Sequence, residues 1–138
     1  TFFATYDDEK YITTRSIYNV ISNNENYPLK YLLGIINSSL FHFYFRNFIA
    51  PDTNIFPKIR IAQLAELHIP KYDDKQADTI SIVEKYVDNI LHLKNNLLDE
   101  KLPHKIELLN NHIQSHQLDI DKLVLQLYKV DTDAINNH

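Results

Sequence analysis

The sequence predicts an α+β fold, in which a small N-terminal β-sheet with a packed helix is followed by a C-terminal antiparallel helical hairpin. Two observations lead to this prediction. Residues 1–22 are rich in aromatic and β-branched side chains, which are typical of strands. Residues 76–98 and 104–128 instead repeat apolar side chains every three or four positions, as amphipathic helices do. The change of pattern divides the chain into two regions, 1–71 and 72–138.

The first region is predicted to begin with short strands and to continue into a helix. Residues 7–10 form a polar turn between the strand candidates. Pro28 suits the first turn of a helix, and leucine and isoleucine follow it at helical spacing. The helix continues or restarts at residues 38–39 and runs through the aromatic stretch 41–48.

A strand followed by a short helix is predicted over residues 55–70. Apolar and cationic side chains alternate from residue 55 to 61, so Lys58 and Arg60 lie on one face, roughly 6–7 Å apart. Residues 62–67 are long enough for one or two helical turns. Pro70 then favours extended chain before it. The segment is predicted to present two cations on a rigid edge.

The second region is predicted to contain two helices joined by a short link. The first apolar seam comprises Ile80, Val83, Val87, Ile90 and Leu97. The second comprises Ile106, Leu109, Ile113, Ile120, Leu123, Leu127 and Val130, with His116 as its polar position. Consecutive helices with a short connection favour antiparallel packing.

The composition excludes several classes of site. The chain has 138 residues and no cysteine, so disulfides and cysteine metal sites are excluded and a reducing, cytoplasmic compartment is expected. Its single glycine, Gly34, excludes glycine-rich phosphate loops. No apolar run reaches transmembrane length. Because the chain has no methionine and begins with a strand-like segment, we expect it to be a fragment of a longer protein.

The net charge of −4 is unevenly distributed along the chain. Residues 46–71 carry four Lys or Arg against two acidic residues, whereas residues 72–138 carry seven against twelve. A phosphate backbone would therefore meet the middle of the chain and be repelled by its C-terminal region.

Three stretches resemble a known family in sequence and in order. They are YLLGIINSSLFHFYF at 31–45, FPKIRIAQLAELHIP at 56–70 and IDKLVLQLY at 120–128. Together they resemble the TaqI-like C-terminal specificity domain of bacterial restriction-modification methyltransferases, including fused type IIG enzymes. Lys129 and Val130 stand where that family often has glycine.

The resemblance implies a non-catalytic module that recognises a DNA sequence. The implied partners are double-stranded DNA and an upstream methyltransferase domain of the same protein, with no membrane. The parent would be an adenine-N6 DNA methyltransferase, in some cases fused to an endonuclease. S-adenosylmethionine is implied for that parent and no cofactor for this fragment. On this basis residues 1–71 form part of a target-recognition region, braced by the hairpin of 72–138.

Candidate DNA-binding residues follow from the charge distribution and the resemblance together. They are Arg46, Asn47, Thr53, Asn54, Lys58 and Arg60. The structural alternatives are a solvated strand face for Lys58 and Arg60, and a helix C-terminal charge for Arg46. For the aromatic stretch 41–48, helical spacing favours core packing over stacking on bases.

Other chemistries are matched only loosely. Asp52 with the Asp73-Asp74-Lys75 run resembles a nuclease motif, but the run is a polar helix start in which either aspartate suits a cap. His112 and His116 have the spacing of a metal pair, although positions on the helix surface or near the seam are the favoured interpretation. No catalytic or metal site is predicted.

Two other functions stay open. One is a fragment of a type I restriction specificity subunit, and the other is a protein-interaction or scaffolding module.

Overall fold

In the computed structural model, residues 4–12, 19–49 and 61–129 are described, and this part of the chain contains helices but no strand. The elements in order are α1 (Leu29–Ile36), α2 (Ser39–Tyr44), a π-helical turn (Phe45–Ile49), α3 (Ile61–Ala65), α4 (Ala77–Asp99) and α5 (Pro103–Leu127). The predicted α+β class is therefore wrong, and the described fold is all-α. The strand predicted over 55–61 falls almost entirely outside the described residues.

The predicted N-terminal β-sheet does not form in residues 4–12 and 19–28. The Asp7 carboxylate accepts the backbone N–H groups of Glu9 and Tyr11, at 2.8 Å each, and so competes with strand pairing. Ile12 and Ile21 are 100% and 85% exposed. Strand propensity reflects packing against a neighbouring strand or layer, and these side chains have none to cover them.

The start of the described chain is held against α1 instead. The backbone N–H and C=O of Ala4 both bond to the Asn37 side-chain amide, at 2.9 and 2.8 Å. The Lys30 ammonium pairs with Asp88 of α4 and lies 5.2 Å from the centre of the Tyr6 ring. Contacts with the Asn37 amide and the Lys30 ammonium thus hold residues 4–6, where strand pairing was predicted.

The helix predicted to continue or restart at residues 38–39 restarts there. Ser38 is buried and caps α2, since its Oγ accepts the Phe41 N–H at 3.2 Å and donates to the Ile35 carbonyl at 2.6 Å. Pro28 is the N-terminal cap residue of α1. One serine therefore ends one helix and begins the next.

The two long helices occur where the apolar seams predicted them. They span 77–99 and 103–127, against predicted ranges of 76–98 and 104–128. They are joined by residues 100–102 and pack on each other, so they run antiparallel. Pro103 begins α5, and the Asp73 side chain accepts the Gln76 N–H at 2.8 Å just before α4.

One apolar core joins α1, α4 and α5. Its buried side chains are Tyr31, Ile35, Ile80, Val83, Val87, Ile90, Ile120, Val124 and Leu127. The predicted seam of α4 is confirmed at its first four positions. In α5 the predicted seam residues Ile120 and Leu127 are buried, whereas between them Val124 is buried and the predicted Leu123 is only partly covered. None of the described helices combines the length and apolar character that crossing a bilayer requires.

Gly34 lies at a close approach of α1 to α4. A Cβ atom at this position would stand 2.7 Å from Val83 Cγ1 and 3.3 Å from Val87 Cγ2. The backbone of Gly34 is helical, so glycine serves here to let two helices come together.

Candidate nucleic-acid interface

A second, smaller apolar cluster supports the region of the predicted DNA contacts. Phe41 and Phe45 are each 6% exposed and pack against Ile36, Leu64 and Leu67. Phe41 lies in α2 and Phe45 begins the π-helical turn, while Leu64 belongs to α3. The cluster therefore ties the end of the aromatic stretch to the short helix that follows in the chain.

The remaining aromatic side chains of this stretch lie on the surface. Phe43, Tyr44 and Phe48 are 46%, 43% and 67% exposed. The Tyr44 and Phe48 rings stack with centres 5.3 Å apart, and Phe43 meets Phe48 edge to face at 6.5 Å. We call these three rings the aromatic face. Core packing was the predicted role for the whole stretch, and for these three residues that prediction is wrong.

Arg46 and Asn47 lie beside the aromatic face in the π-helical turn, and both are exposed. The Asn47 Nδ2 donates to the Phe43 carbonyl at 2.7 Å. This bond uses one amide hydrogen and leaves the second hydrogen and the amide oxygen for another partner. Asn47 therefore supports the turn as well as standing on the surface.

His42 adds little positive charge to this surface at neutral pH. Burial lowers its pKa, and Arg46 lowers the pKa further, while Asp121 acts in the opposite direction. Imidazole is already largely neutral at pH 7 when its pKa is unperturbed, so the neutral form is favoured here. Among the described residues of this stretch, Arg46 thus carries the positive charge.

The first turn of α2 is held from outside by α5. Asp121 accepts the Ser39 backbone N–H at 2.9 Å and the Ser39 hydroxyl at 2.6 Å. Gln117 donates to the same carboxylate at 3.3 Å. A carboxylate at a helix N-terminus satisfies free N–H groups and is favoured by the helix dipole.

Two tyrosine hydroxyls hold the extended segment that follows α3. Tyr31 of α1 donates to the Pro70 carbonyl at 2.8 Å, and Tyr128 donates to the His68 carbonyl at 2.7 Å. Burial raises the pKa of Tyr31, and it raises the pKa of Tyr128 to about 12. Both groups stay protonated donors at neutral pH. We call these two contacts the tyrosine clamp.

The predicted site residues divide into two groups. Arg46 and Asn47 are brought together with the aromatic face. Thr53, Asn54, Lys58 and Arg60 lie outside the described residues, so their role stays a prediction. Sequence analysis missed the exposure of Phe43, Tyr44 and Phe48, although the polar pair at 46–47 interrupts the apolar pattern there.

Of the alternative candidates, Asp52 lies outside the described residues, and the others lie away from the aromatic stretch in the sequence. The Asp73 side chain accepts the Gln76 N–H in the turn before α4, but the N-terminal cap residue of α4 is Gln76 and makes no side-chain cap bond, so the predicted aspartate cap is not formed. His116 packs against Tyr86 with ring centres 5.2 Å apart, and His112 is exposed on α5.

Comparison with protein-family sequence models gives a match in the N-terminal half of the chain. The model of the TaqI-like C-terminal specificity domain matches residues 1–69, which is half of the chain. The chain belongs to that family. The TaqI-like match contains α1, α2, the π-helical turn and α3. Of the three stretches that carried the resemblance, 31–45 lies wholly inside the match, 56–70 lies inside it except for Pro70, and 120–128 lies outside it.

No curated protein and no solved structure gave a match to the chain. The TaqI-like family supports a role as a specificity module in DNA recognition, which is non-catalytic by family.

Proposed function

We propose that the chain is the DNA target-recognition module of a bacterial restriction-modification methyltransferase of type II or IIG, and that the aromatic face with Arg46 meets DNA. The observation that carries this proposal is an exposed cluster of three aromatic rings and a cation inside the family-matched region. The upstream methyltransferase domain of the parent is the proposed partner within the same protein.

The chemistry of the surface suits a nucleic acid. Exposed rings can stack on bases or pack on sugars, and arginine binds phosphates or the guanine edge. Large aromatic side chains left in water are unfavourable, which supports a binding partner for this surface. Because the neutral form of His42 is favoured, Arg46 supplies the positive charge next to the rings.

The neighbouring segment 50–60 is proposed to add further contacts. It joins the end of the π-helical turn to the start of α3, and both of those elements pack on the Phe41–Phe45 cluster. Chain connectivity alone keeps Arg60 next to Ile61. We assign DNA contacts to Thr53, Asn54, Lys58 and Arg60 on this argument and on their residue types.

Methyl transfer is assigned to the parent and not to this chain. A methyltransferase holds S-adenosylmethionine with a glycine-rich loop. Gly34 is the single glycine of the chain, and it is buried inside α1 against Val83, where it cannot form such a loop. We therefore propose that the cofactor and the adenine-N6 chemistry belong to the upstream domain.

The test is DNA binding by Arg46→Ala, Lys58→Ala and Arg60→Ala, singly and combined, in the parent protein. Lys85→Ala is the matched control, because Lys85 is an exposed cation on α4 away from the proposed surface. Loss of a phosphate contact should weaken binding to all sequences and reduce the slope of log K against log salt by about one. Loss of a base contact should cost about 1–3 kcal/mol at a single position of the target.

The aromatic face is tested separately with Phe48→Ala, for which about 1–3 kcal/mol of binding free energy is expected if the ring stacks on a base. Sequencing of the methylated adenines in the DNA of cells that express the parent identifies the target sequence. The same measurement with each variant shows whether the target sequence has changed. If the triple cation variant and Phe48→Ala both keep the affinity and target preference of Lys85→Ala, the proposed surface is not a DNA contact.

A further inference from the structure

The distal halves of α4 and α5 form an arm in which only the two end residues, Leu91 and Ile113, pack against the core, and the apolar residues between them belong to neither described apolar cluster. We define the arm as residues 91–113. It contains the apolar residues Leu91, Leu93, Leu97, Leu98, Leu102, Ile106, Leu108, Leu109 and Ile113. None of these is buried, whereas every buried residue of α4 and α5 lies in the proximal halves, which α1 covers.

The physical reason is geometric. Two helices packed side by side can cover only the strip along which they touch, so each apolar residue beside that strip remains partly in water. Leu98, Leu102 and Leu108 are 80%, 46% and 55% exposed. Several exposed large apolar side chains on one helix pair are a feature of interaction sites.

The charges of the arm indicate what kind of partner fits. Lys94, Lys101 and Lys105 are matched in number by Asp99, Glu100 and Glu107, so the arm is neutral within a region of charge −5. Within the described part of the chain, none of these six residues forms an ion pair. A nucleic acid would demand an excess of cations, and this surface does not have one.

We propose that the arm binds the arm of a second copy of this chain. In a twofold interface the same surface patch is present on both partners, so the patch must be complementary to itself. The arm meets this requirement because it carries exposed leucines and equal numbers of positive and negative charges. Two such helix pairs would form a four-helix bundle, in which each pair covers the apolar side chains that the other leaves exposed to water.

The association does not depend on the proposed function. If the chain recognises DNA as proposed, a twofold pair would carry two recognition surfaces in one particle, which is the arrangement that reads two half-sites related by symmetry. That consequence rests on the proposed function, and the test below contains no DNA.

The test measures the mass of the 138-residue chain by sedimentation or light scattering over a wide range of concentration. The variants are Leu98→Gln and Leu108→Gln, at positions exposed enough that glutamine does not disturb the fold. Leu118→Gln is the matched control, because Leu118 is 54% exposed on the same helix as Leu108 but lies outside the arm. Circular dichroism verifies that the helix content of each variant is unchanged.

We expect the chain to reach the mass of two copies as its concentration rises. Each arm variant should raise the dissociation constant by at least about tenfold, since a buried leucine contributes that much or more. Leu118→Gln should leave it unchanged. A chain that stays monomeric at every concentration overturns the proposal, as does a dimer that Leu98→Gln and Leu108→Gln do not weaken. If the chain is monomeric and amide hydrogen exchange in the arm is slower in the parent protein than in the isolated chain, the arm binds another part of the parent and the proposal is wrong.

Discussion

Replacing Gly34 by alanine should destabilise this protein, although the same change stabilises most helices. At an exposed helical position alanine is favoured over glycine by about 1 kcal/mol. Here the added Cβ would lie 2.7 Å from Val83 Cγ1, whereas carbon atoms pack best at about 3.5–4.0 Å. Val83 is fully buried, and in a helix a valine side chain keeps essentially one rotamer, so the methyl group cannot turn away.

The expected magnitude follows from these opposing effects. Overpacking of a core costs about 1–3 kcal/mol, and the gain in helix propensity offsets about 1 kcal/mol of it. Gly34→Ala should therefore lower the free energy of unfolding by about 0–2 kcal/mol. Val83→Ala alone should cost about 2 kcal/mol, from two lost methyl groups and the cavity that they leave.

The double variant decides the cause. With Val83 shortened, the new methyl group at position 34 enters vacated space, so Gly34→Ala should become stabilising. The two changes should thus couple by about 1–3 kcal/mol. Urea unfolding followed by circular dichroism measures the cycle. Ser115→Gly and Ser115→Ala on the exposed side of α5 give the propensity difference in this protein. If the two substitutions have additive effects on the free energy of unfolding, or if Gly34→Ala is more stable than the unsubstituted chain, then Gly34 is not in tight contact with Val83.

Three further predictions concern the contacts that hold the site. Asp121→Ala should cost about 1–2 kcal/mol in urea unfolding by removing the two bonds that its carboxylate accepts from Ser39 in the first turn of α2, while Asp119→Ala, which breaks a surface ion pair, should cost well under 1 kcal/mol. Lys129 has φ of 53°, so Lys129→Gly should stabilise by about 0.5–1 kcal/mol, whereas Lys101→Gly, at negative φ, should not. Tyr128→Phe should cost about 0.5–1.5 kcal/mol by removing its hydrogen bond. Because burial raises the pKa of Tyr128 from 10.0 to about 12, the stability that it contributes is complete below pH 10 and is lost as the pH rises towards 12. Tyr31, whose pKa burial also raises, keeps titrating in the phenylalanine variant, so that variant should lose less stability over this range than the unsubstituted chain, and an equal loss in both proteins would contradict the assignment.

The sequence predicted the long helices well because their signal is local. Apolar residues at three- and four-residue intervals define a stripe whatever covers it, which is why the ends of α4 and α5 lie within one residue of the predicted ranges. The choice between Leu123 and Val124 was not local. Both positions fit an apolar stripe, and packing in the core shared by α1, α4 and α5 decides which one is buried.

The N-terminal sheet failed for the opposite reason. Strand propensity describes how a side chain fits beside a partner, and the sequence does not state whether the partner exists. Asp7 binds two backbone N–H groups that a sheet would have used, and Asn37 takes up both polar groups of Ala4. Side chains that bond to the nearby backbone remove the need for a second strand.

The aromatic face was hidden by a change of helical period. In a regular α-helix Phe41, Phe45 and Phe48 would share one face, and all three would be expected in the core. The π-helical turn over 45–49 inserts an extra residue per turn, so Phe48 no longer follows Phe45 into the core and is exposed beside Tyr44. Periodicity assumes a constant turn and cannot detect such a shift.

The orientation of the proposed DNA surface depends on residues that lie outside the family match. Asp121 of α5 holds the first turn of α2, and Tyr128 holds the chain that leaves α3, so both ends of the surface are tied to the C-terminal helices. α1 in turn packs on α4 through Gly34, with no space for a side chain between them. A change in α5 that disturbs the Asp121 or Tyr128 contact should therefore alter DNA recognition without touching DNA, because it moves the elements that carry Arg46. In the proposed function, the acidic C-terminal region would be the support of the DNA-binding surface, a role that requires packing contacts and no cations.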